Sequence, residues 1–501
     1  MRAVFETSYR ALAPPARRLL RRLASLDAED APAWLAATAL GTDPVEAEDA
    51  LAGLVEANLV EVAGPDPVGQ FRCRMHDLVK AFARERARSE EAPQDLLAAL
   101  ADVCAAWLAL AEEAATLGEY AAGAFFTIAP RVPRPPAPTD AHRRDPHAWF
   151  AAERACLLGT IAQARAVPAL RRYAWPVVWF CEHLLQSDVH PDELATVCGL
   201  GLAAAQELDD PQAVACMRVS AAFAAFMQED LATAFDHIEH ARRVVAGPAD
   251  TWLLAEIYGV RGQIQEARGD VSASRADLQR AIELYQAAGD RLTAGLKLAR
   301  LGDLAARQGD PAAGTTIREG VELLRTAGAG GALAHGLRRL GQWYDRCGEV
   351  DRARAAYLEA LELTRRQKDQ VGEMCLLGEL GALLAGAGRT AEAAPYVAAA
   401  LDRARAADMP LYAAYARYVN GRLSLANGDA ATARRQITEV VAVLETNPRW
   451  HVAALVDLAR AADRLDDREA ADEAWRAALA VAERVGAAVE IQAARRQAAG
   501  G

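Results

Sequence analysis

The sequence is poor in lysine, in aromatic residues and in long apolar runs. Its 501 residues include only Lys80, Lys297 and Lys368, so arginine carries nearly all of the positive charge. Aromatic residues make up 6% of the chain, and no segment approaches the roughly 18 uninterrupted apolar residues of a membrane span. The N-terminus also lacks the apolar core of a secretion signal. We therefore expect a cytoplasmic protein without a membrane partner.

The sequence also lacks the common signatures of nucleotide, metal and catalytic sites. No G-x-x-x-x-G-K-[ST] loop surrounds any lysine, so the phosphate-binding loop of an ATPase is missing. Cys73 and His76 form a C-x-x-H pair, but no second pair completes a tetrahedral zinc site. No G-x-S-x-G motif is present. We predict a chain that is not an enzyme and holds neither a metal nor a cofactor of its own.

What the chain does contain is an acidic, alanine-rich composition. The formal net charge is −12, with 52% apolar and 25% charged residues. Alanine enters helices at the lowest cost, so this composition favours helices. The negative surplus repels phosphate backbones, which makes nucleic acid a poor default partner. The preference for arginine over lysine is typical of a high-GC bacterium such as an actinomycete.

A repeat of about 40 residues occupies the second half of the chain. One glycine recurs at intervals of 39 or 40 residues, at Gly262, Gly302, Gly341, Gly381 and Gly421. A small residue follows twelve positions later in each unit, at Ser274, Gly314, Ala353, Ala393 and Ala433. A glycine turn lies between the two positions. Each unit is therefore predicted to be two amphipathic helices, which must stack on their neighbours because one hairpin cannot bury its apolar face.

One unit resembles the tetratricopeptide repeat. Its sequence Leu337-Arg338-Arg339-Leu340-Gly341-Gln342-Trp343-Tyr344, followed by Ala353, Tyr357 and Ala360, matches the signature of that family. The period is longer than the usual 34 residues, so the helices are expected to be longer by about a turn. We predict an all-α solenoid with about seven hairpins over residues 211–490. Capping helices over 147–210 precede the hairpins, and a tail over 491–501 follows them.

Residues 1–90 have a different pattern. The predicted elements are helices over 14–26, 31–40 and 44–57, strands over 59–62 and 70–74, and a last helix over 77–88. Three helices and one β-hairpin are the parts of a winged-helix domain. Connecting helices over 91–126 and a Pro-rich linker over 127–146 lead to the solenoid.

The third helix of this domain stands where a DNA-recognition helix would lie, and it is acidic. From Asp43 to Glu61 the sequence has six carboxylates and no lysine or arginine. Such a surface repels phosphates and offers no arginine to guanine edges. We do not expect direct DNA binding, and a DNA-binding transcription factor is the weakest of three functional hypotheses.

Two further motifs carry a resemblance to a larger family. Met75-His76-Asp77-Leu78-Val79 and Trp149-Phe150-Ala151-Ala152-Glu153-Arg154 resemble the C-terminal half of AfsR-type regulators. These are NB-ARC (STAND) members of the streptomycete antibiotic regulatory protein family. The resemblance covers essentially the whole chain and implies that His76 contacts ADP or ATP held by a separate nucleotide-binding domain, which this chain lacks. The alternative is that His76 caps the following helix while Met75 and Leu78 fill the core.

In such solenoids the first helix of each repeat lines a concave binding surface. Projecting these helices gives nine candidate groove residues: Arg300, Asp303, His335, Arg338, Gln342, Asp345, Tyr415, Tyr418 and Arg422. Arg338 and Tyr418 are the first choices, because arginine and tyrosine dominate binding hot spots. The alternative is that these are ordinary solvated side chains.

The leading functional hypothesis is a sensor and scaffold module of a bacterial signalling or transcriptional regulator. A protein or small effector binds the tetratricopeptide groove, and the winged helix passes this on to a nucleotide-binding partner. The other hypothesis is a stand-alone tetratricopeptide adaptor with no switch role.

Overall fold

The computed structural model describes residues 2–117, 139–187, 191–245, 251–328, 330–367, 369–406 and 409–484. Helices dominate these residues, which confirms the predicted all-α class. The chain divides into two compact units, Met1–Val260 and Arg261–Gly501. The division falls inside a repeat helix rather than at a predicted domain boundary. This is expected of a solenoid, because each repeat contacts only its neighbours.

The first unit begins with the winged-helix domain. Its helices are α1 (Arg2–Ala11), α2 (Pro14–Ala24), α3 (Leu35–Leu40), α4 (Pro44–Glu56) and α5 (Asp77–Glu90). Its strands are β1 (Asp30–Pro32), β2 (Glu61–Pro65) and β3 (Phe71–Arg74). The strands form an antiparallel sheet in the order β1-β3-β2, and Leu19, Leu20 and Leu54 are fully buried in the domain core.

The prediction of one helix over residues 31–40 is wrong at its start. Ala31 lies opposite Cys73 in the sheet, and the helix begins only at Leu35. Pro32 has no N–H to donate, so it suits an edge strand. The sheet therefore has a third strand beside the predicted hairpin. An alanine-rich stretch of helix-like composition gave no signal for it.

Seven helices complete the first unit up to the solenoid division. They are α6 (Pro93–Leu117), α7 (Ala141–Arg144), α8 (Pro146–Ala166), α9 (Arg171–Ser187), α10 (Pro191–Glu207), α11 (Pro211–Met227) and α12 (Leu231–Val244). By length and composition, Pro93–Ala115 could cross a membrane, but half of its most apolar window is buried inside the protein. Helix α6 contacts α3, α8 and α9, and Trp107 and Leu110 are buried. It is a core helix.

The end of the predicted Pro-rich linker is helical. Ala141 and His142 of α7 are fully buried, and His142 Nε2 lies 2.8 Å from Glu113 Oε2 of α6. Residues 127–138 of the linker and the predicted tail over 491–501 lie outside the described residues.

The remaining helices continue the repeat pattern. They are α13 (Thr251–Ala267), α14 (Val271–Ala287), α15 (Arg291–Arg307), α16 (Ala313–Ala327), α17 (Gly330–Arg346), α18 (Val350–Arg366), α19 (Gln370–Gly386), α20 (Thr390–Ala406), α21 (Pro410–Ala426), α22 (Ala430–Thr438), α23 (Pro448–Arg464) and α24 (Arg468–Arg484). Within the described ranges, α9 to α24 make eight hairpins, the predicted seven and the capping pair. Most of these helices are 17 residues long, in agreement with the long period.

The predicted turns have the expected chemistry. Gly269 and Gly428 have φ of +82° and +89°, a left-handed conformation that glycine adopts without strain. The next residue then caps the second helix: Asp270 accepts a hydrogen bond from the Ala273 N–H at 3.0 Å. A helix ends and another begins within a few residues, which fixes the hairpin.

Small residues let the two helices of each repeat approach closely. A Cβ added to Gly302 of α15 would lie 2.9 Å from the backbone nitrogen of Ile317 and 3.0 Å from the carbonyl oxygen of Ala313. A Cβ at Gly341 of α17 would lie 2.6 Å from the ring of Tyr357. The repeating glycine is therefore required by packing between helices.

We predict that Gly302→Ala destabilises the second unit. The new methyl group meets backbone atoms of α16, which cannot move without shifting that helix, so the expected loss is about 1–3 kcal/mol. Gly199→Ala in α10 is the matched control, because a Cβ there has nothing within 4 Å. The measurement is amide hydrogen exchange in α15 and α16 together with the melting temperature. Equal stability of the two variants would contradict the close approach.

Candidate functional site

A row of four buried carboxylates joins the first helices of successive repeats in the second unit. We call this row the carboxylate ladder, and it consists of Glu266 of α13, Asp303 of α15, Glu379 of α19 and Asp457 of α23. Each accepts hydrogen bonds from side chains on an adjacent first helix. The partners lie about one repeat away in sequence, so the ladder connects repeats rather than neighbours within a helix.

The first contact joins α13 to α15. Arg300 Nη2 donates to Glu266 Oε2 at 2.8 Å, and Arg307 donates to Glu266 Oε1. Burial acts to raise the pKa of Glu266, but the charges of Arg300 and Arg307 lower it to about 2. The carboxylate is therefore charged at neutral pH.

The second contact joins α15 to α17. Arg346 Nη2 donates to Asp303 Oδ1 at 2.5 Å, and Arg339 Nη1 donates to Asp303 Oδ2 at 3.3 Å. Burial again acts against the charged form, but these two arginines hold the pKa of Asp303 well below its ordinary value. Arg339 and Arg346 stand in the same register as Arg300 and Arg307, two residues before and five after the repeat glycine.

Helix α17 also donates in the other direction. Arg338 Nη2 lies 2.7 Å from Glu379 Oε1 of α19, and Gln342 Nε2 donates to the same oxygen at 2.8 Å. Helix α17 is therefore an arginine donor to the repeats on both sides.

The last contact joins α21 to α23. The Tyr418 hydroxyl donates to Asp457 Oδ2 at 2.9 Å, and Arg460 Nη1 donates to Asp457 Oδ1 at 3.1 Å. Arg422 lies 3.7 Å from the same carboxylate. Beside it, the ring of Tyr415 stacks on Trp450 with 4.1 Å between ring centroids.

The arginines are more exposed than the carboxylates that they bind. The side chains of Asp457 and Glu379 are 3% and 9% exposed, whereas those of Arg422 and Arg338 are 28% and 26% exposed. The acidic groups thus form a buried layer, and guanidinium groups cover it toward the solvent.

The structure brings together six of the nine predicted groove residues in this arrangement: Arg300, Asp303, Arg338, Gln342, Tyr418 and Arg422. His335 is half-buried, and burial together with the charge of Arg338 lowers its pKa to about 4. Asp345 is exposed, and Tyr415 is buried. Because Tyr418 is also buried, its first role is to join repeats. A binding role for any of the nine stays a prediction.

The sequence analysis missed the ladder carboxylates at 266, 379 and 457 and the arginines at 307, 339, 346 and 460. One signal was available. Arginines seven residues apart recur in two successive repeats, at 300 and 307 and at 339 and 346, and this spacing places both on one face of a helix. The carboxylates are not in a constant register, so the repeat alone could not reveal them.

In the first unit, a second buried ion pair ties the winged-helix sheet to α8. Arg72 Nη1 of β3 donates to Glu153 Oε2 at 2.6 Å, and Arg72 Nη2 donates to Asp30 Oδ1 of β1 at 2.6 Å. Glu153, which belongs to the Trp-Phe-x-x-Glu-Arg motif, is fully buried and also accepts from Gln70 at 2.9 Å. Burial raises the pKa of Glu153, and the charge of Arg72 opposes this effect.

Helix α8 continues this contact along one stripe. Cys156 Sγ donates to the Asp30 carbonyl oxygen at 3.2 Å. Two turns further on, Gln163 Nε2 donates to the Ser25 carbonyl oxygen at 2.7 Å. The winged helix and α8 are thus joined by hydrogen bonds over much of the helix.

His76 begins helix α5 as its cap. Its Nδ1 accepts a hydrogen bond from the Leu78 N–H at 3.2 Å, and the residue is exposed. This is the capping geometry of the second interpretation, but the part of that interpretation that placed Leu78 in the core is wrong, since Leu78 is 47% exposed. The nucleotide contact of His76 stays a prediction. Among the described residues, no group of three or more His, Cys, Asp or Glu is arranged to hold a metal.

The fold and these sites define a tetratricopeptide-type α-solenoid that follows a winged-helix domain. A similar fold occurs in a signal transduction ATPase with numerous domains (STAND) from Pyrococcus horikoshii that carries a tetratricopeptide repeat sensor. The TM-score is 0.52 at 13% identity, over 95% of this chain and 64% of that chain.

The curated relatives are regulators. The chain is 27% identical to regulatory protein AfsR of Streptomyces griseus over 380 residues, which are 74% of this chain and 36% of the relative. It is 25% identical to AfsR of Streptomyces coelicolor over 347 residues, 68% and 34% of the two chains. The chain therefore spans about a third of the length of these relatives. No protein-family model matches it. The resemblance to AfsR-type regulators is confirmed.

We predict that Glu266→Gln makes the stability of the second unit less dependent on pH. The pKa of Glu266 falls from 4.5 to about 2 on folding, so its stabilisation is complete above about pH 4.5 and is lost as the pH falls toward 2. The variant should be less stable than the natural chain at about pH 7, with a smaller difference at about pH 3. Urea denaturation at several pH values measures this. Glu362→Gln, in an exposed pair with Arg366 on α18, is the control and should not show the trend.

We also predict that Glu153→Gln loosens the contact between β3 and α8. The buried guanidinium of Arg72 loses its charged partner, at an expected cost of about 1.5–3 kcal/mol. Glu85→Gln, which removes one charge of an exposed pair with Arg2, should change stability little. Hydrogen exchange of the β3 and α8 amides is the measurement. Unchanged protection in Glu153→Gln would show that the ion pair does not hold the two elements together.

Proposed function

We propose that this chain is the sensor portion of an AfsR-like regulator, acting in the cytoplasm without chemistry of its own. A protein or peptide binds the face formed by the first helices of the second unit. The observation that carries the proposal is the guanidinium layer over the carboxylate ladder. It presents half-exposed, fixed arginines, the residue type that is most enriched with tyrosine and tryptophan at binding hot spots.

The first unit supports a signalling role for the winged helix. Because Arg72 and Glu153 join β3 to α8, a displacement of α8 moves the sheet with it. The motif that carries the family resemblance therefore also carries the mechanical connection between the winged helix and the first solenoid helices.

His76 extends the proposal to a nucleotide. Its Nδ1 is engaged by the helix cap, and the exposed ring leaves the opposite edge available for a phosphate oxygen. An N–H at the start of a helix attracts phosphate. The contact requires ADP or ATP held by a separate nucleotide-binding domain.

Direct DNA binding is not part of the proposal. Helix α4 is flanked by a groove of about 650 Å³ lined by α1, α2 and the acidic residues Glu46, Asp49 and Glu56. Three carboxylates at this position oppose a phosphate backbone.

Site-specific photo-cross-linking in cells tests the proposed binding face. A benzoylphenylalanine replaces Asp345, which is exposed on first helix α17, or Glu362, which is exposed on second helix α18. We expect a discrete protein or peptide adduct from position 345 and none from position 362. The adduct should diminish when Arg338 is changed to Gln. Equal adducts from both positions, or none from position 345, would contradict binding on this face.

A further inference from the structure

We infer that the occupant of the first-helix face is an extended acidic peptide, whose carboxylates bind the arginines that cover the carboxylate ladder. This inference rests on the proposed function and specifies the chemistry of the partner. It is drawn from charge, exposure and spacing within the second unit.

The local charge of the face is opposite to that of the chain. Seven arginines contact the four ladder carboxylates: Arg300, Arg307, Arg338, Arg339, Arg346, Arg422 and Arg460. Seven positive and four negative charges leave a surplus of three, or two when the exposed Asp345 is included. The whole chain has a formal charge of −12. A positive surface on an acidic protein favours a partner with negative charge.

The arginines are also held in position before a ligand binds. Each ladder carboxylate is buried and fixes the guanidinium above it, as in the 2.7 Å contact between Arg338 and Glu379. A guanidinium carries five N–H donors in a rigid plane, more than one carboxylate accepts, so a second carboxylate can share it. Fixed donors lose little conformational entropy on binding, which increases affinity.

The spacing of the repeats indicates an extended peptide. The first helices α15 and α17 contact each other directly, as do α19 and α21. Packed helices lie about 8–10 Å apart, whereas an extended chain advances about 3.3 Å per residue. One acidic residue in every three would therefore meet one repeat each. Helix α17 has the greatest positive charge, with Arg338, Arg339 and Arg346, and is expected to bind the central carboxylate.

A nucleic acid is the other polyanion that such a surface could attract, and the structure favours it less. The net charge of −12 opposes a long phosphate backbone. The arginine rows follow the helix spacing rather than a continuous basic track.

Fluorescence anisotropy with the full chain tests the inference. The probe is a labelled peptide of about five Glu-Gly-Ser units, and the matched control has Gln in place of every Glu. We expect the Glu peptide to bind at least about tenfold more tightly, because hydrogen bonds to charged groups are the stronger ones, and to weaken between about 50 and 300 mM salt.

Two arginine variants connect the affinity to this face. In the double variant Arg300→Gln and Arg346→Gln, Glu266 keeps Arg307 and Asp303 keeps Arg339, so the fold is retained, which the melting temperature verifies. We expect about a tenfold loss of affinity for the Glu peptide. Arg325→Gln, which removes an arginine paired with Glu359 on second helices, should leave the affinity unchanged.

The outcomes separate the two proposals. Equal binding of the Glu and Gln peptides overturns the acidic partner, and the cross-linking result at position 345 then still decides whether the face binds a protein at all. Failure of the Glu peptide to bind, or an equal loss in Arg325→Gln, also overturns the inference. Tighter binding of a labelled oligothymidylate than of the Glu peptide overturns it in favour of nucleic acid.

Discussion

The close approach of the two helices in each repeat is the constraint on which the second unit depends. Gly302 and Gly341 have no room for a Cβ, so the second helix lies directly against the first. Apolar side chains such as Ile317 and Tyr357 then fill the space around this contact. The remaining face of each first helix is turned to the next first helix. This face can carry polar groups because the apolar core is already complete.

Burying carboxylates on that face has a cost that only arginine offsets. Glu379 and Asp457 are almost fully removed from water, and a buried carboxylate without a partner would be strongly destabilising. A buried ion pair is weak evidence for stability, since apolar residues can often replace it without loss. What it does provide is a definite partner for each helix and a set of guanidinium groups fixed toward the solvent. The proposed binding surface is thus a consequence of how the repeats are joined.

The repeat could be predicted from sequence because its signals are local. The turn at Gly269 and the cap at Asp270 follow from two adjacent residues, and the glycine of each first helix follows from the period. The ladder could not be predicted, because Glu266 and Arg300 are 34 residues apart and their pairing depends on which helices are neighbours. Strand β1 was missed for a related reason, since its only partner is β3. For His76 the helix cap is local and was foreseen, whereas the exposure of Leu78 depends on tertiary packing.

The direction of hydrogen bonding changes along the solenoid. Helix α15 and helix α19 each present a carboxylate to α17, which donates arginines to both. Tandem repeats diversify by gain and loss of whole units, and an array with uniform direction could lose any unit and close the gap. Here the loss of α17 and α18 would place Asp303 against Glu379, two carboxylates with no arginine between them. This repeat is therefore the one that the array could not lose, and copies of the solenoid that vary in length are expected to gain or lose units on either side of it.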